Sequence, residues 1–309
     1  MRSPLLTLPG AVEAEGVDAG VAAHYGDPVR EQRALADATA TVDLSHRPVV
    51  RVSGPDRLSW LHSLTTQHLT ELPANTAAEA LILSPHGHVE HQLLLVDDGE
   101  STWMHVEPGT AESLIGFLDS MRFLLRVDIA DVSEEWAVLV APESTGLTGL
   151  RRGDELFVRR STIDDVAWLA ATPLAGMWAY EALRIEARCP RLGFETDHRT
   201  IPHEVGWLES AVHLNKGCYR GQETVARVHN LGRPPRRLVF LHLDGSVETL
   251  PPHCAPVEFD NRQVGFVTSS ARHYELGPIA LALIKRNIPE DTPLLAGGVA
   301  ATQEVVVAP

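Results

Sequence analysis

The sequence predicts an α+β protein that ends in a small antiparallel β-barrel. Up to about residue 235, strand-patterned and helix-patterned segments follow one another in irregular order, not as a repeating βαβ array. The segment GRPPRR (232–237) is too stiff to continue a helix or a central strand. After it come only strand patterns.

Taken in order, residues 29–40 read as a helix, with Pro28 ahead of an Ala-rich body. PVVRVS (48–53) alternates like a half-buried strand. Pro55 suits the first turn of a helix running to His68, with Ser53 or Gly54 as its cap and Trp60 in the core. Strand patterns follow at 79–83, 88–96 and 102–107, then a helix from Thr110 to about Phe123 with Leu114, Ile115, Leu118 and Met121 on one face. LLRVDIA, WAVLV, ELFVRR and VAWLA read as further strands, and 174–188 as a helix stopping before Cys189-Pro190. The barrel strands are RLVFLHL, APVEF, QVGFVTS, IALALIK and EVVVA. This gives an N-terminal region over 1–235 and a barrel over 236–309.

Composition narrows the function classes. The 309 residues suffice for two or three domains. No apolar run approaches the roughly 18–20 residues that span a bilayer, so no membrane association is expected. The N-terminus MRSPLLTLPGAVEAEG has neither a secretory nor a transit pattern, which predicts a cytoplasmic protein. Three cysteines, Cys189, Cys218 and Cys254, with no CxxC, exclude a disulfide framework and a self-contained four-thiolate zinc or iron–sulfur site. A net charge of −15 argues against stable nucleic-acid binding.

That charge is unevenly spread. Between Lys216 and Arg237 six basic residues (Lys216, Arg220, Arg227, Arg233, Arg236 and Arg237) stand against one acid, Glu223, making the segment +5 and the rest of the chain −20. An island of this kind suggests an anionic ligand; a solvated basic turn is the simpler alternative. Only Lys216 and Lys285 are lysines among 26 basic residues, which singles out Lys216 as a position needing a compact, rotatable ammonium.

Within the island, LNKGCYRGQETVAR (214–227) concentrates chemistry. Gly217 and Gly221 bracket Cys218 and Tyr219, allowing a tight turn and close approach of a ligand. A thiol between Lys216 and Arg220 sits in positive potential, which favours the thiolate. Tyr219 offers a ring with a hydroxyl, and Gln222 and Glu223 add polar contacts. Alternatively, Cys218 is a small buried hydrophobe in a loop-to-helix turn.

Lys216-Gly217-Cys218-Tyr219-Arg220-Gly221-Gln222-Glu223 resembles the K-G-C-Y-x-G-Q-E signature of YgfZ-type folate-binding proteins, which the mitochondrial iron–sulfur assembly factor of the same family also carries. DLSHRPVVRVSGPDRLSWL (43–61) and LRIEARCPRLGFE (183–195) resemble stretches of the glycine-cleavage T-protein and its relatives. The resemblance implies an aminomethyltransferase-like fold of intertwined ferredoxin-like subdomains, divided near 130–140, ahead of the barrel. It implies tetrahydrofolate or a polyglutamylated folate as ligand, with Glu186 meeting the pterin and Cys218 as the functional thiol. It also implies iron–sulfur client or assembly proteins as partners, among them enzymes that modify tRNA. Lys216, Tyr219, Arg220, Gln222, Glu223, Arg227 and Arg233 complete the candidate folate contacts, and Arg233, Arg236 and Arg237 are candidates for a polyglutamate tail.

Two departures shape the functional expectation. The T-protein has a Gly-rich stretch ending Asp-Asp-Leu near the reacting folate nitrogens; here it reads Gly87-His88-Val89-Glu90-His91-Gln92-Leu93, with no Asp pair. Arg47 and Tyr180 stand where some relatives place two tryptophans; Tyr180 can stack on the ligand, and Arg47 can hold a pterin face or a glutamate tail. The expectation is an accessory folate-binding protein in iron–sulfur protein assembly or repair, the alternative being a tetrahydrofolate-dependent aminomethyl or methyl transferase. His86, His88 and His91 are poorly disposed for zinc, since His91 falls on the opposite strand face.

Overall fold

The computed structural model describes residues 2–308. The chain divides into two compact units: one comprises the chain up to Ile82, His91–Tyr180 and Asn215–Tyr219, the other Leu83–Glu90, Glu181–Leu214 and the chain from Arg220 on.

The first unit contains two five-stranded sheets. One runs in the order Leu150–Arg152, Glu155–Arg159, Trp136–Val140, Thr41–Asp43, Leu174–Ala175, its last pair parallel. The other is ordered Ala77–Leu83, Val89–Asp97, Ser101–His105, Val49–Ser53, Asp128–Asp131. Helices α1 (Pro28–Ala36), α2 (Arg57–Leu64), α3 (Ala111–Ser120) and α4 (Val166–Ala171) accompany them. Val50, Val52, Leu93, Leu95 and Met104 of the second sheet share a core with Trp60, Leu61 and Leu64 of α2 and Leu114 and Leu118 of α3. Trp60 is therefore core, as its sequence context suggests.

Several elements depart from the sequence expectation. α2 stops at Leu64, not His68, and Asp56 is its N-terminal neighbour, Ser53 being the end of a strand. The Asp56 carboxylate accepts from the Arg126 backbone N–H (2.9 Å) and guanidinium (2.7 Å), which fixes the entry to the helix. VAWLA is not a strand but the body of α4. The Asp165 carboxylate accepts from Ala167 N–H, a cap that turns a short apolar run helical, and Trp168 fills the core beneath.

α5 (Met177–Glu186) follows, then α6 (Trp207–Ser210) and α7 (Gln222–Leu231). The second unit closes in a barrel with the circular order Arg236–Leu243, Gly277–Lys285, Arg262–His273, Pro256–Phe259, Leu294–Ala296, Val299–Val305. Val239, Leu241, Val257, Val267, Ala280, Ala282 and Ile284 fill it. The last two strands form a hairpin about Gly297 and Gly298, both at positive φ (57° and 83°). EVVVA thus contributes only the tail of the final strand.

Candidate functional site

In the first unit, Arg47 follows the strand Thr41–Asp43 and is buried, with its guanidinium carbon 5.5 Å from the centre of the Tyr180 ring. Its Nη2 lies 3.6 Å from Glu107 Oε1. Nearby on the same fold, Glu155 accepts from His105 Nε2 (2.9 Å) and Arg152 (2.7 Å). Burial opposes ionisation of the Glu155 carboxyl, but His105 and the arginines Arg152 and Arg47 outweigh it and hold the group well below the usual range. Two of the sequence-predicted residues, Arg47 and Tyr180, are therefore in contact, within a cluster of alternating charge.

Lys216 is buried, and its ammonium donates to the backbone carbonyls of His62, Thr65 (2.5 Å) and Gln67 (3.0 Å). These are orphan acceptors around the C-terminal end of α2, where the helix offers no N–H partners. Burial pushes the ammonium down to about 8. The Nζ also lies 5.2 Å from the centre of the buried Tyr219 ring, whose hydroxyl burial raises to about 12. Cys218, between them in sequence, is exposed, as are Cys189 and Cys254. A buried apolar role for Cys218 is thereby excluded.

His91 and Gln92 are buried on the strand Val89–Asp97. Gln92 Nε2 donates to Glu79 Oε1 (2.7 Å). His91 Nδ1 has no hydrogen-bond partner among the described residues, and burial lowers the imidazole to about 4; it is a neutral group at pH 7.

In the second unit, Arg220 pairs with Glu90 at 3.1 Å. Gln222, Glu223 and Arg227 ride on α7, Gln222 half-buried and the other two exposed, and Arg233 is exposed beyond the helix end. Arg236 and Arg237 do not extend this basic surface, contrary to the reading of the island as a tail-binding strip. Arg236 is held by Asp197 (2.6 Å) and Glu204 (2.8 Å). Arg237 is fully buried and donates to the Ile288 carbonyl and Gln303 Oε1, both at 3.0 Å. On a barrel strand successive side chains alternate in direction, so adjacent arginines in sequence find unrelated partners.

Glu186 ends α5 with its side chain 47% exposed, 3.8 Å from the buried His273 Nε2. The other polar groups of this part of α5 are committed. Arg184 binds Glu181 (2.8 Å), Glu195 (3.0 Å) and Ser269 Oγ (2.8 Å). Glu195, itself buried, also accepts from Thr268 (2.8 Å), Ser269 (2.5 Å) and Arg191 N–H (2.9 Å). Sequence reasoning did not single out Arg184, Glu195 or His273. The first two lie in LRIEARCPRLGFE, where Arg184 inside an apolar helical pattern was an available signal and Glu195, in the turn beyond the helix, was not. His273 offered none.

Comparison with known proteins agrees with this architecture. Residues 19–144 match the GCVT N-terminal domain family and 236–307 the glycine cleavage T-protein C-terminal barrel domain family. The chain is 27% identical to the aminomethyltransferase of Rubrobacter xylanophilus, over 92% of this chain and 87% of that protein. It is 24% identical to the aminomethyltransferase of Bacillus subtilis, over 94% and 92%. The structure superposes on that of the glycine cleavage system aminomethyltransferase T from Bartonella henselae with a TM-score of 0.81 at 18% identity, covering 97% of this chain and 94% of that one.

Proposed function

Because the chain belongs to the aminomethyltransferase-like superfamily, we propose that it binds a reduced folate, with Glu186 as its polar anchor, and serves iron–sulfur protein assembly or repair without turning over an aminomethyl donor. The observation that carries the folate reading is the open carboxylate of Glu186 on a segment where Glu181, Arg184, Arg191 and Glu195 are locked together and Arg188 pairs with Glu304. A carboxylate suits the pterin 2-amino and N3–H edge because it accepts two parallel hydrogen bonds.

The stretch Gly87–Leu93 supports a role other than aminomethyl transfer. Its acid, Glu90, is paired with Arg220, and its buried polar side chains are a neutral imidazole and an amide bonded to Glu79. None of these is a carboxylate available to a folate nitrogen. The K-G-C-Y-x-G-Q-E signature at 216–223, with its exposed thiol, supports the link to iron–sulfur clients in the cytoplasm.

Titration calorimetry with tetrahydrofolate, on the wild type and Glu186→Gln, tests the binding. The variant is expected to lose about 1.5–3 kcal/mol, the range for a hydrogen bond to a charged group; equal affinities remove Glu186 from the site. Incubation of the folate-bound protein with an aminomethyl donor tests the rest. Folate-dependent loss of the aminomethyl group makes the chain a transferase, whereas binding without turnover supports the accessory role.

A further inference from the structure

His273 ends the longest barrel strand, Arg262–His273, and its side chain is 2% exposed. Its Nδ1 accepts the backbone N–H groups of Glu275 (3.2 Å) and Leu276 (3.1 Å) in the turn that follows. An imidazole nitrogen that accepts carries no proton, so the ring is neutral and its proton resides on Nε2. That Nε2–H is buried and has no hydrogen-bond partner among the described residues. Glu186 Oε2 lies 3.8 Å from it, beyond hydrogen-bond length.

The two groups differ in freedom. The imidazole is fixed by its two N–H donors and packed against the Tyr274 ring at 4.6 Å between centroids. The Glu186 side chain is half open and can turn. The nearby arginines are engaged elsewhere: Arg184 with Glu181, Glu195 and Ser269, and Arg188 with Glu304 and the Phe240 ring. An imidazole N–H kept dry and unpaired beside a mobile carboxylate is a donor waiting for that carboxylate.

We propose that His273 is a positioning residue for Glu186, its Nε2–H taking one carboxylate oxygen when ligand binds and so orienting the group to receive two parallel N–H donors of a 2-amino-4-oxopyrimidine edge. The proposal rests on the reading of Glu186 as the folate anchor. A neutral donor suits the task. A guanidinium or ammonium at this place would form an ion pair competing with the ligand, whereas an imidazole N–H directs the carboxylate and leaves its charge to the incoming N–H groups.

Two substitutions separate this role from support of the turn. His273→Asn keeps an oxygen near the place of Nδ1 for the turn N–H groups but lacks the distal donor. His273→Gln supplies an amide N–H near the place of Nε2 but no acceptor for the turn. Asn is expected to weaken tetrahydrofolate binding about 10-fold with an unchanged melting temperature, the factor a single lost hydrogen bond to a charged group gives. Gln is expected to bind within about threefold of wild type while melting earlier. In the Glu186→Gln background, His273→Asn is expected to add no further loss, since the two act through one contact. At saturating tetrahydrofolate, the ¹⁵N resonance of His273 Nε2 is expected to move from its ligand-free position in the wild type and to stay near that position in Glu186→Gln. Affinity lost in Glu186→Gln but kept in His273→Asn overturns the proposal and leaves the folate reading standing, as do losses that multiply in the double variant. A wild-type Nε2 resonance that saturating tetrahydrofolate leaves unmoved also overturns it. Equal affinity of wild type and Glu186→Gln overturns the anchor assignment, and this proposal with it.

Discussion

Gly221 meets Gly87 backbone to backbone: a Cβ on Gly221 would stand 2.9 Å from the Gly87 Cα and 2.6 Å from the Ser84 carbonyl oxygen. Gly221 also opens α7 at φ 82°. The second glycine of the 216–223 motif thus serves the tight turn that sequence reasoning gave it, and the space beside it is taken by the turn Ser84–His88. Gly217 is different, since a Cβ there meets nothing within 4 Å. Gly221→Ala is expected to cost at least about 2 kcal/mol, from the left-handed backbone and the contact together. Gly217→Ala is expected to stay within about 0.5 kcal/mol of wild type. Urea unfolding of both variants decides it, and equal costs would refute the steric assignment.

Lys216 yields a second prediction from the same motif. Replacing it with Met retains the buried stem but leaves the carbonyls of His62, Thr65 and Gln67 without their donor. The expected loss is about 1–3 kcal/mol of stability, the cost of stranding buried acceptors. Lys216→Arg should not restore it, because a planar fork cannot converge on three carbonyls as a compact ammonium does. A Lys216→Met protein as stable as wild type, but with weakened folate affinity, would move this lysine from the scaffold to the ligand.

How far the sequence could be read differs by element. Alternation marked Val49–Ser53 and the barrel strands because each buries one face or both, a pattern that needs no tertiary knowledge. VAWLA failed because five apolar residues fit either period, and the deciding feature was the Asp165 cap. The hairpin Leu294–Val305 was half missed because its Ala, Thr and Gln residues carry little strand signal, although Gly297-Gly298 marks its turn. Within the candidate site, charge was legible but direction was not. Arg236 and Arg237 count toward the basic island in sequence, yet one is bound by two carboxylates and the other is buried in the barrel. Lys216 stood out by its rarity, while the carbonyls it serves come from a helix end some 150 residues earlier.

Cys218 carries a third prediction, on the functional link. Its thiol is exposed and its motif neighbours are engaged, Lys216 by backbone carbonyls and Arg220 by Glu90. Little packing is lost on substitution, so Cys218→Ser is expected to change stability by no more than about 0.5 kcal/mol. The same variant is expected to fail to restore the activity of iron–sulfur enzymes, methylthiolation of tRNA among them, in a strain lacking the protein. Cys189→Ser and Cys254→Ser serve as controls, since exposure does not distinguish the three thiols. Full complementation by Cys218→Ser would remove the thiol from the function.

Acid sensitivity supplies the last prediction. His91 and His203 are each 8% exposed, and burial lowers both imidazoles to about 4, with His229 adding to the effect at His203. Among the described residues, neither ring nitrogen of His203 has a hydrogen-bond partner, nor does His91 Nδ1. Between pH 4 and 6.5 the unfolded chain therefore binds more protons at these positions than the folded one, and stability rises with pH across that window. The contribution is complete above about pH 6.5 and is lost as pH falls toward 4, amounting to at most about 3 kcal/mol per histidine at the factor of 1.36 kcal/mol per pH unit. His91→Leu and His203→Leu remove groups whose neutral forms satisfy few hydrogen bonds, so each is expected to leave stability at pH 7 within about 1.5 kcal/mol of wild type. Each should also reduce the loss between pH 6.5 and 4.5, and the double variant should reduce it further than either. Urea midpoints at pH 7, 6 and 4.5 read the slope directly. A double variant with the wild-type acid slope would assign the acid sensitivity to other groups.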